Sequence, residues 1–547
     1  MYWRHEPYAR ISRLAALDGR RRVATLTPIL RLGFLLCLCQ AASAAAPPPP
    51  ELPSVADTPS TAVAADGRYI SWAEHRIDDE LLNGGTPIRG GDGLAMGDLD
   101  RDGIEDIASV HEDSNHLRLA FGTHDPNEWI LVTVGEGAEV AAIEDVAIGD
   151  LNGDGWPDLV AACEEAHLAY FQNPGANART AQWPRLIPEV TQGRGSWLRA
   201  FIVDLNQDGR LDVVAPNKGA ADIIDPSTGA RPPHATSLFV IDGDPLEQTA
   251  WREQVLFRQG VPNTAMPVDI DNDGDWDVLA AERQQQRLTL LEVVDAKAPG
   301  GVGVQAHPIV IEPGFEADPD WQGSSGAIQS VFADLDGDGR KDLVVGVTER
   351  WGSGDARQSY LGFGWLHQPP GLNQPWTYFR IGDTLPDVVV GIALADIDGD
   401  GDLDAITGGY SGLNILTGAY SGASREQDDP RVTAASTVGR IAWFENPGDP
   451  RGAWRRHDIS RRVRGMYDAY VPRDLDGDGD IDFVATRGNS GRFDGVFWLE
   501  QLRSATPQAS FLPARTKESR ALPLPPENWM DIYHEGSTYV PPNHESP

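Results

Sequence analysis

Seven times the chain repeats the pattern Asp-x-(Asp/Asn)-x-Asp-Gly-x-x-Asp, a turn able to aim several hard oxygen donors at one centre. The candidate ligands are Asp98, Asp100, Asp102 and Asp106 in the first copy and Asp150, Asn152, Asp154 and Asp158 in the second. The third and fourth offer Asp204, Asn206, Asp208, Asp212 and Asp269, Asp271, Asp273, Asp277. The last three offer Asp334, Asp336, Asp338, Asp342, then Asp396, Asp398, Asp400, Asp404, then Asp474, Asp476, Asp478, Asp482. Glycine at the sixth position permits the sharp bend, and the carbonyl of the seventh can add a ligand. Without a cation, four carboxylates held this close repel strongly. Calcium, which accepts roughly 6–8 oxygens in loose geometry, suits the turn better than magnesium with its tight octahedron. Up to seven Ca²⁺ ions are expected. An EF-hand is excluded, because position 12 is Ser109, Ala161, Ala215, Ala280, Val345, Thr407 or Ala485 and never Glu. Asn152 and Asn206 each remove one charge, so the second and third sites are expected to be the weaker ones.

The turns need elements to position them, and their spacing indicates which. Successive copies start 52, 54, 65, 65, 62 and 78 residues apart, a period typical of repeat architectures. Small and β-branched residues lead into each turn, as in Val146-Ala147-Ile148-Gly149, and a second apolar run follows at once, as in Leu159-Val160-Ala161-Ala162. A third run is often aromatic (Leu168-Ala169-Tyr170-Phe171, Ile441-Ala442-Trp443-Phe444) and ends at Asn-Pro-Gly. A fourth begins near Trp129, Trp183, Trp251, Trp376 and Trp454. Four antiparallel strands repeated radially predict an all-β fold, a seven-bladed β-propeller of four-stranded blades spanning residues 69–502. The last blade lacks a fourth strand, while an orphan run, Ile70 to Ile77, precedes the first turn. Lending that amino-terminal strand to the last blade closes the ring and removes an exposed edge. The fifth blade, around His307, lacks the Trp and is expected to be the least regular.

These residues carry a family resemblance. Turns such as Asp334-Leu335-Asp336-Gly337-Asp338-Gly339-Arg340-Lys341-Asp342 resemble the FG-GAP/VCBS repeats of integrin α-chain propellers and of many exported bacterial proteins. The resemblance implies seven blades with Ca²⁺ between the first two strands of each. Activity varies across such propellers, which include adhesion receptors, a fungal lectin, and sugar-lyase or dehydratase enzymes.

The net charge of −37 follows largely from the turns, since 26 of the acidic residues stand at ligand positions. Such acidity disfavours nucleic acid as a partner. At the amino terminus Arg20, Arg21 and Arg22 precede an apolar run, Leu32 to Cys39, and then Ala42-Ser43-Ala44, so residues 1–44 are expected to be a Sec-type signal peptide. The expected location is secreted or periplasmic, with no transmembrane span after cleavage. Cys163 would then be the sole cysteine, a buried thiol. Residues 45–68 read as a Pro/Ala-rich linker, and 503–547 as a Pro-rich tail with an aromatic island at Trp529, Tyr533 and Tyr539.

Long insertions fall between the second and third strands or between blades, at 217–234, 312–326, 348–360 and 407–438, on the face opposite the turns. Arg194, Arg199, Arg461, Arg464, Arg487 and Arg492, with Arg350 and Arg462, would make that rim basic. Tyr467, Tyr360, Tyr410, Tyr420, Trp197, Trp321 and Trp351 could stack on sugar rings, a mixture suited to an anionic glycan. No nucleophile elbow, H-E-x-x-H or Walker loop is present. His234, His307, Tyr467, Tyr470 and Asp468 could act as acid or base. The expected function is an exported calcium-binding module for an extracellular or periplasmic carbohydrate. The alternatives are a carbohydrate lyase or dehydratase using the same face, and a protein-interaction scaffold at the cell envelope.

Overall fold

Each Asp turn joins two short apolar runs that can pair only with each other, and a hairpin results. In the first copy Gly91–Gly97 pairs antiparallel with Asp106–His111, and His116–Phe121 and Ile130–Glu136 complete the sheet. This computed structural model describes residues 52–164, 166–219, 232–353, 358–410, 438–515 and 520–525, with the side chain of Tyr410 left aside. Among them there are seven such sheets and no α-helix. The chain is a seven-bladed β-propeller.

The inner strands are Gly91–Gly97, Ile143–Gly149, the broken pair Ser196–Trp197 and Phe201–Val203, Pro262–Val268, Ser330–Ala333, Val388–Ala395 and Tyr470–Arg473. They approach closely because small residues line them: a Cβ on Gly149 would stand 2.6 Å from Ile202 Cγ2 in the next blade. The core lies between blades. One apolar cluster fills each interface, such as Leu119 and Val146 with Phe171 between blades 1 and 2. At the closure, Ile77 and Trp498 of blade 7 meet Ile107 and Ala120 of blade 1.

Closure follows the expected route. Tyr69–Asp79 pairs antiparallel with Gly495–Ser504 and supplies the fourth strand of blade 7. The Trp signal also has a cause. Indole Nε1 of Trp129, Trp183, Trp251 and Trp454 donates to the carbonyl of Pro126, Ala178, Pro245 and Pro450, pinning the turn before each outer strand.

Two expectations are corrected. His307 belongs to the outer strand of blade 4, Gly303–Pro308, where its ring bonds Glu292 and Asn373. Blade 5 is irregular for another reason: it gains Gln322–Ser324 at its inner edge and Ile311–Pro313 at its outer edge. Residues 52–64 do not behave as a linker. Ala56, Ala62 and Ala64 are buried in the cluster between blades 6 and 7, because small side chains fill the groove beside Trp72 and Phe511. The tail joins them, since Phe511–Leu512 pairs parallel with the closing strand and Val55 N donates to Leu522 O. Trp529, Tyr533 and Tyr539 lie outside the described residues.

The ninth residue of every turn is a buried tie-point. Asp158 accepts from Leu151 N (3.1 Å), Asn173 N (2.8 Å) and the Tyr170 hydroxyl (2.9 Å). Asp404 likewise accepts from Ile397 N and Asn446 N, and Asp482 from Leu475 N and Gln501 N. One carboxylate thus holds the turn to the end of the third strand. Amide side chains at that end reach the neighbouring blade: Asn173 to Leu99 O, Gln368 to Ile270 O and Gln501 to Ile397 O. Asp158→Ala strands these donors in a dry site and should cost about 2–4 kcal/mol in urea unfolding. The measurement is made in chelator, so that metal loss does not contribute; a change within about 0.5 kcal/mol would remove the tie-point role.

Candidate functional site

The seven turns share one backbone form. Every sixth-position glycine takes a positive φ, from +85° at Gly339 to +102° at Gly401, which explains why no other residue stands there. In four turns the first aspartate accepts the N–H groups of positions 5 and 6, as Asp98 does from Asp102 and Gly103. The fifth accepts from position 7, as Asp102 does from Ile104. These bonds turn the remaining lone pairs inward. Carboxylate oxygens of Asp98, Asp100 and Asp106 lie within 4.8 Å of one another, and the same holds for Asp269, Asp271 and Asp273 and for Asp334, Asp336 and Asp342.

Position 7 adds a carboxylate in three turns, a contribution the ligand pattern did not count: Asp275, Asp402 and Asp480. One oxygen of each has no hydrogen-bond partner, nor has Asp269 Oδ1. Burial, followed by neighbouring aspartates, pushes Asp402 up to about 6 and Asp480 to about 7. Burial likewise takes Asp277 to about 7 and Asp404 to about 8. Orphaned oxygens among mutually repelling carboxylates fit a hard cation.

The other turns are partly neutralised from within. Arg179 reaches across from blade 2 to Asp100 and Asp102. Arg451 pairs with Asp336, and His367 Nε2 stands 3.2 Å from Asp336 and 3.0 Å from Asp338. In the two Asn turns the amide points at a carboxylate: Asn152 Nδ2 to Asp154 (2.9 Å) and Asn206 Nδ2 to Asp212 (2.7 Å).

The basic rim is not a surface. Arg461, Arg464, Arg487 and Arg199 are buried, with exposures of 0%, 4%, 2% and 7%, and Tyr467 is fully covered. Arg461 forks onto Asp387 (2.6 and 3.2 Å), Arg440 onto Asp458, and Arg462 pairs with Glu74 at 3.2 Å. Burial pushes the Glu74 carboxyl up, but the Arg462 and Arg487 guanidiniums outweigh it and hold it below its usual range. These arginines fasten blades 6 and 7 and the tail, and do not face an anionic glycan. Arg194 is half-buried, lies over the Trp197 ring and pairs with Glu253 at 2.9 Å. Arg492 is exposed. Tyr470, buried, packs edge-on to Phe483, and Cys163 is a buried thiol whose titration burial pushes up. Tyr420 and most of the 407–438 insertion lie outside the described residues.

One expected aromatic pair does reach solvent. Trp321 and Trp351 line an open cleft of about 570 Å³ on blade 5, with Asp320, Gln322, Arg350 and Ser353. The extra strand builds it: Gln322 pairs with Arg350, which places Trp321 beside the Trp351 end of the hairpin. Trp321 is fixed by its Nε1 bond to Glu349 (2.8 Å) and by Tyr378, 6.2 Å away and tilted only 20°.

No helix among the described residues is long and apolar enough to cross a membrane. The FG-GAP-like repeat family matches residues 98–161 and 150–215. No curated protein matches the chain. Among solved structures, YCF48 from Cyanidioschyzon merolae aligns at 10% identity over 78% of this chain and 98% of its own, with a TM-score of 0.38. The BBS1N crystal structure in complex with ARL6DN aligns at 12% identity over 76% of this chain and 93% of that one, with a TM-score of 0.34. The chain carries FG-GAP-like repeats folded into a seven-bladed β-propeller.

Proposed function

We propose that the chain is an exported binding module that holds calcium in its Asp turns and a carbohydrate in the blade 5 cleft. The Trp321–Trp351 cleft carries the ligand reading. Its volume falls within the roughly 300–1,000 Å³ of small-ligand sites, and rigid aromatic faces flanked by Asp320, Gln322 and Arg350 suit the apolar faces and hydroxyls of a sugar. Because most of the expected basic rim is buried, the ligand is an uncharged or weakly charged glycan in place of a polyanion. Export is supported by the Arg20–Arg22 and Leu32–Cys39 pattern of the amino terminus.

Calcium in the turns supplies charge, not chemistry: it offsets the repulsion among carboxylates and ties the strand ends on one face. Asp269, Asp271, Asp273 and Asp275 make the most demanding turn, with two orphaned oxygens. The Arg179-bridged turn around Asp100 already holds a protein cation and needs the ion less.

On a glycan array the parent should retain a defined sugar, and Trp351→Ala should weaken it at least about tenfold, the loss of one stacking contact, with an unchanged melting temperature. Undiminished binding in Trp351→Ala would move the site elsewhere, and an array with no bound glycan would end the carbohydrate reading. Chelator should lower the melting temperature by about 5 °C or more, since ions bound only to the native state stabilise it by mass action. An unchanged melt would deny calcium that part. Asn206→Asp should tighten one site in a calorimetric calcium titration, whereas equal affinities would contradict the ligand assignment.

A further inference from the structure

Aligned on the Asp turns, the inner strands bring one register position, six residues before each turn, to the same level around the axis. Blades 7, 1 and 2, which are neighbours, carry Asp468, Asp92 and Glu144 there; the other four carry Leu198, Asn263, Ile328 and Val390. Six residues of strand put this level roughly 20 Å from the turns, towards the opposite face. All three acids are buried, at 0%, 0% and 2% exposure. Asp92 and Glu144 occupy the register shifts Gly91/Leu94 and Ile143/Asp145, bulges of the kind that re-aim a side chain.

A second tier stands at the ends of the second strands, where blades 1, 2 and 3 place Glu112, Glu164 and Lys218 at equivalent positions. Carboxylate oxygens of Glu112, Glu144 and Glu164 lie within 4.8 Å of one another. Lys218 is bonded to Glu164, and Arg199 Nη2 stands 3.8 Å from Asp468. Asp92 has neither. Both of its oxygens lack any hydrogen-bond partner, and Glu144 and then Asp468 are the like charges that repel it most. A fully buried carboxylate pressed against others with no donor of its own is costly unless a charge not yet counted sits beside it.

We propose that this chamber binds one divalent cation, separate from those of the Asp turns, held by Glu112, Glu144 and Glu164 and neutralising Asp92 beside them. The converging donors are all carboxylates, which selects a hard ion such as Ca²⁺ or Mn²⁺ over a soft one. An ion centred among three oxygens no more than 4.8 Å apart lies within about 2.8 Å of each, so a small inward movement reaches calcium distances of roughly 2.3–2.6 Å. A cavity of about 180 Å³ is lined by Gly93, Asp145 and Arg199, the first two being the chain neighbours of Asp92 and Glu144.

Crystals of the full chain soaked in Mn²⁺ test this by anomalous scattering. A peak between Glu112, Glu144 and Glu164 is expected; its absence when the Asp turns are loaded overturns the proposal. In solution, elemental analysis after calcium dialysis should find one ion fewer in Glu144→Gln than in the parent. Asp271→Asn, a turn variant, should lose its own ion and leave this one, so the double variant loses two. A Glu144→Gln protein with the parent's count overturns the chamber alone, whereas loss in Glu144→Gln without loss in Asp271→Asn strikes only the turn assignment. Should Glu144→Gln fail to fold, the diffraction result on the parent decides.

Discussion

The interaction on which the rest depends is the buried aspartate that closes each turn. It is at once the acceptor that fastens the turn to the third strand and a member of a group of like charges. Those two roles pull in opposite directions. The hydrogen bonds demand a buried, well-placed carboxylate, and burial together with three or four nearby aspartates makes that charge expensive. A divalent ion in the turn, as proposed, would reconcile them, and Cys163, the one free cysteine among the described residues, is buried. The blades are otherwise held by apolar packing at each interface, by the amide bridges from Asn173, Gln368 and Gln501, and by the closing strand Tyr69–Asp79.

Much of this was legible in the sequence because it is local. The Asp/Gly spacing fixes a turn, the flanking apolar runs fix a hairpin, and Trp129 or Trp454 marks an outer strand by bonding a carbonyl three or four residues away. What was not legible depends on partners distant in sequence. Arg461 and Arg462 looked like an exposed cationic run, yet Asp387 and Glu74, 74 and 388 residues away, draw them inside. Residues 52–64 looked like a tether because Ala and Pro carry no periodicity, and only the groove beside Trp72 gives their small side chains a place. The trio Asp92, Glu144 and Asp468 was visible in principle, since aligning the repeats on their turns puts the three in one column.

The two faces of the ring divide the labour. On one, the carboxylates recur in all seven blades and hold the scaffold. On the other, the register position of Asp468, Asp92 and Glu144 is acidic in three adjacent blades, and the extra strands of blade 5 raise the Trp321–Trp351 cleft. Departures from sevenfold repetition are where a propeller becomes specific, because a feature present once cannot be serving the ring as a whole.

The account is tested most directly by counting the calcium bound to the purified chain, by elemental analysis after exhaustive dialysis against micromolar calcium. Several ions per molecule, rising towards one for each Asp turn, are predicted. Fewer than about two would contradict it, since the carboxylates of the turns would then be sharing protons and not an ion.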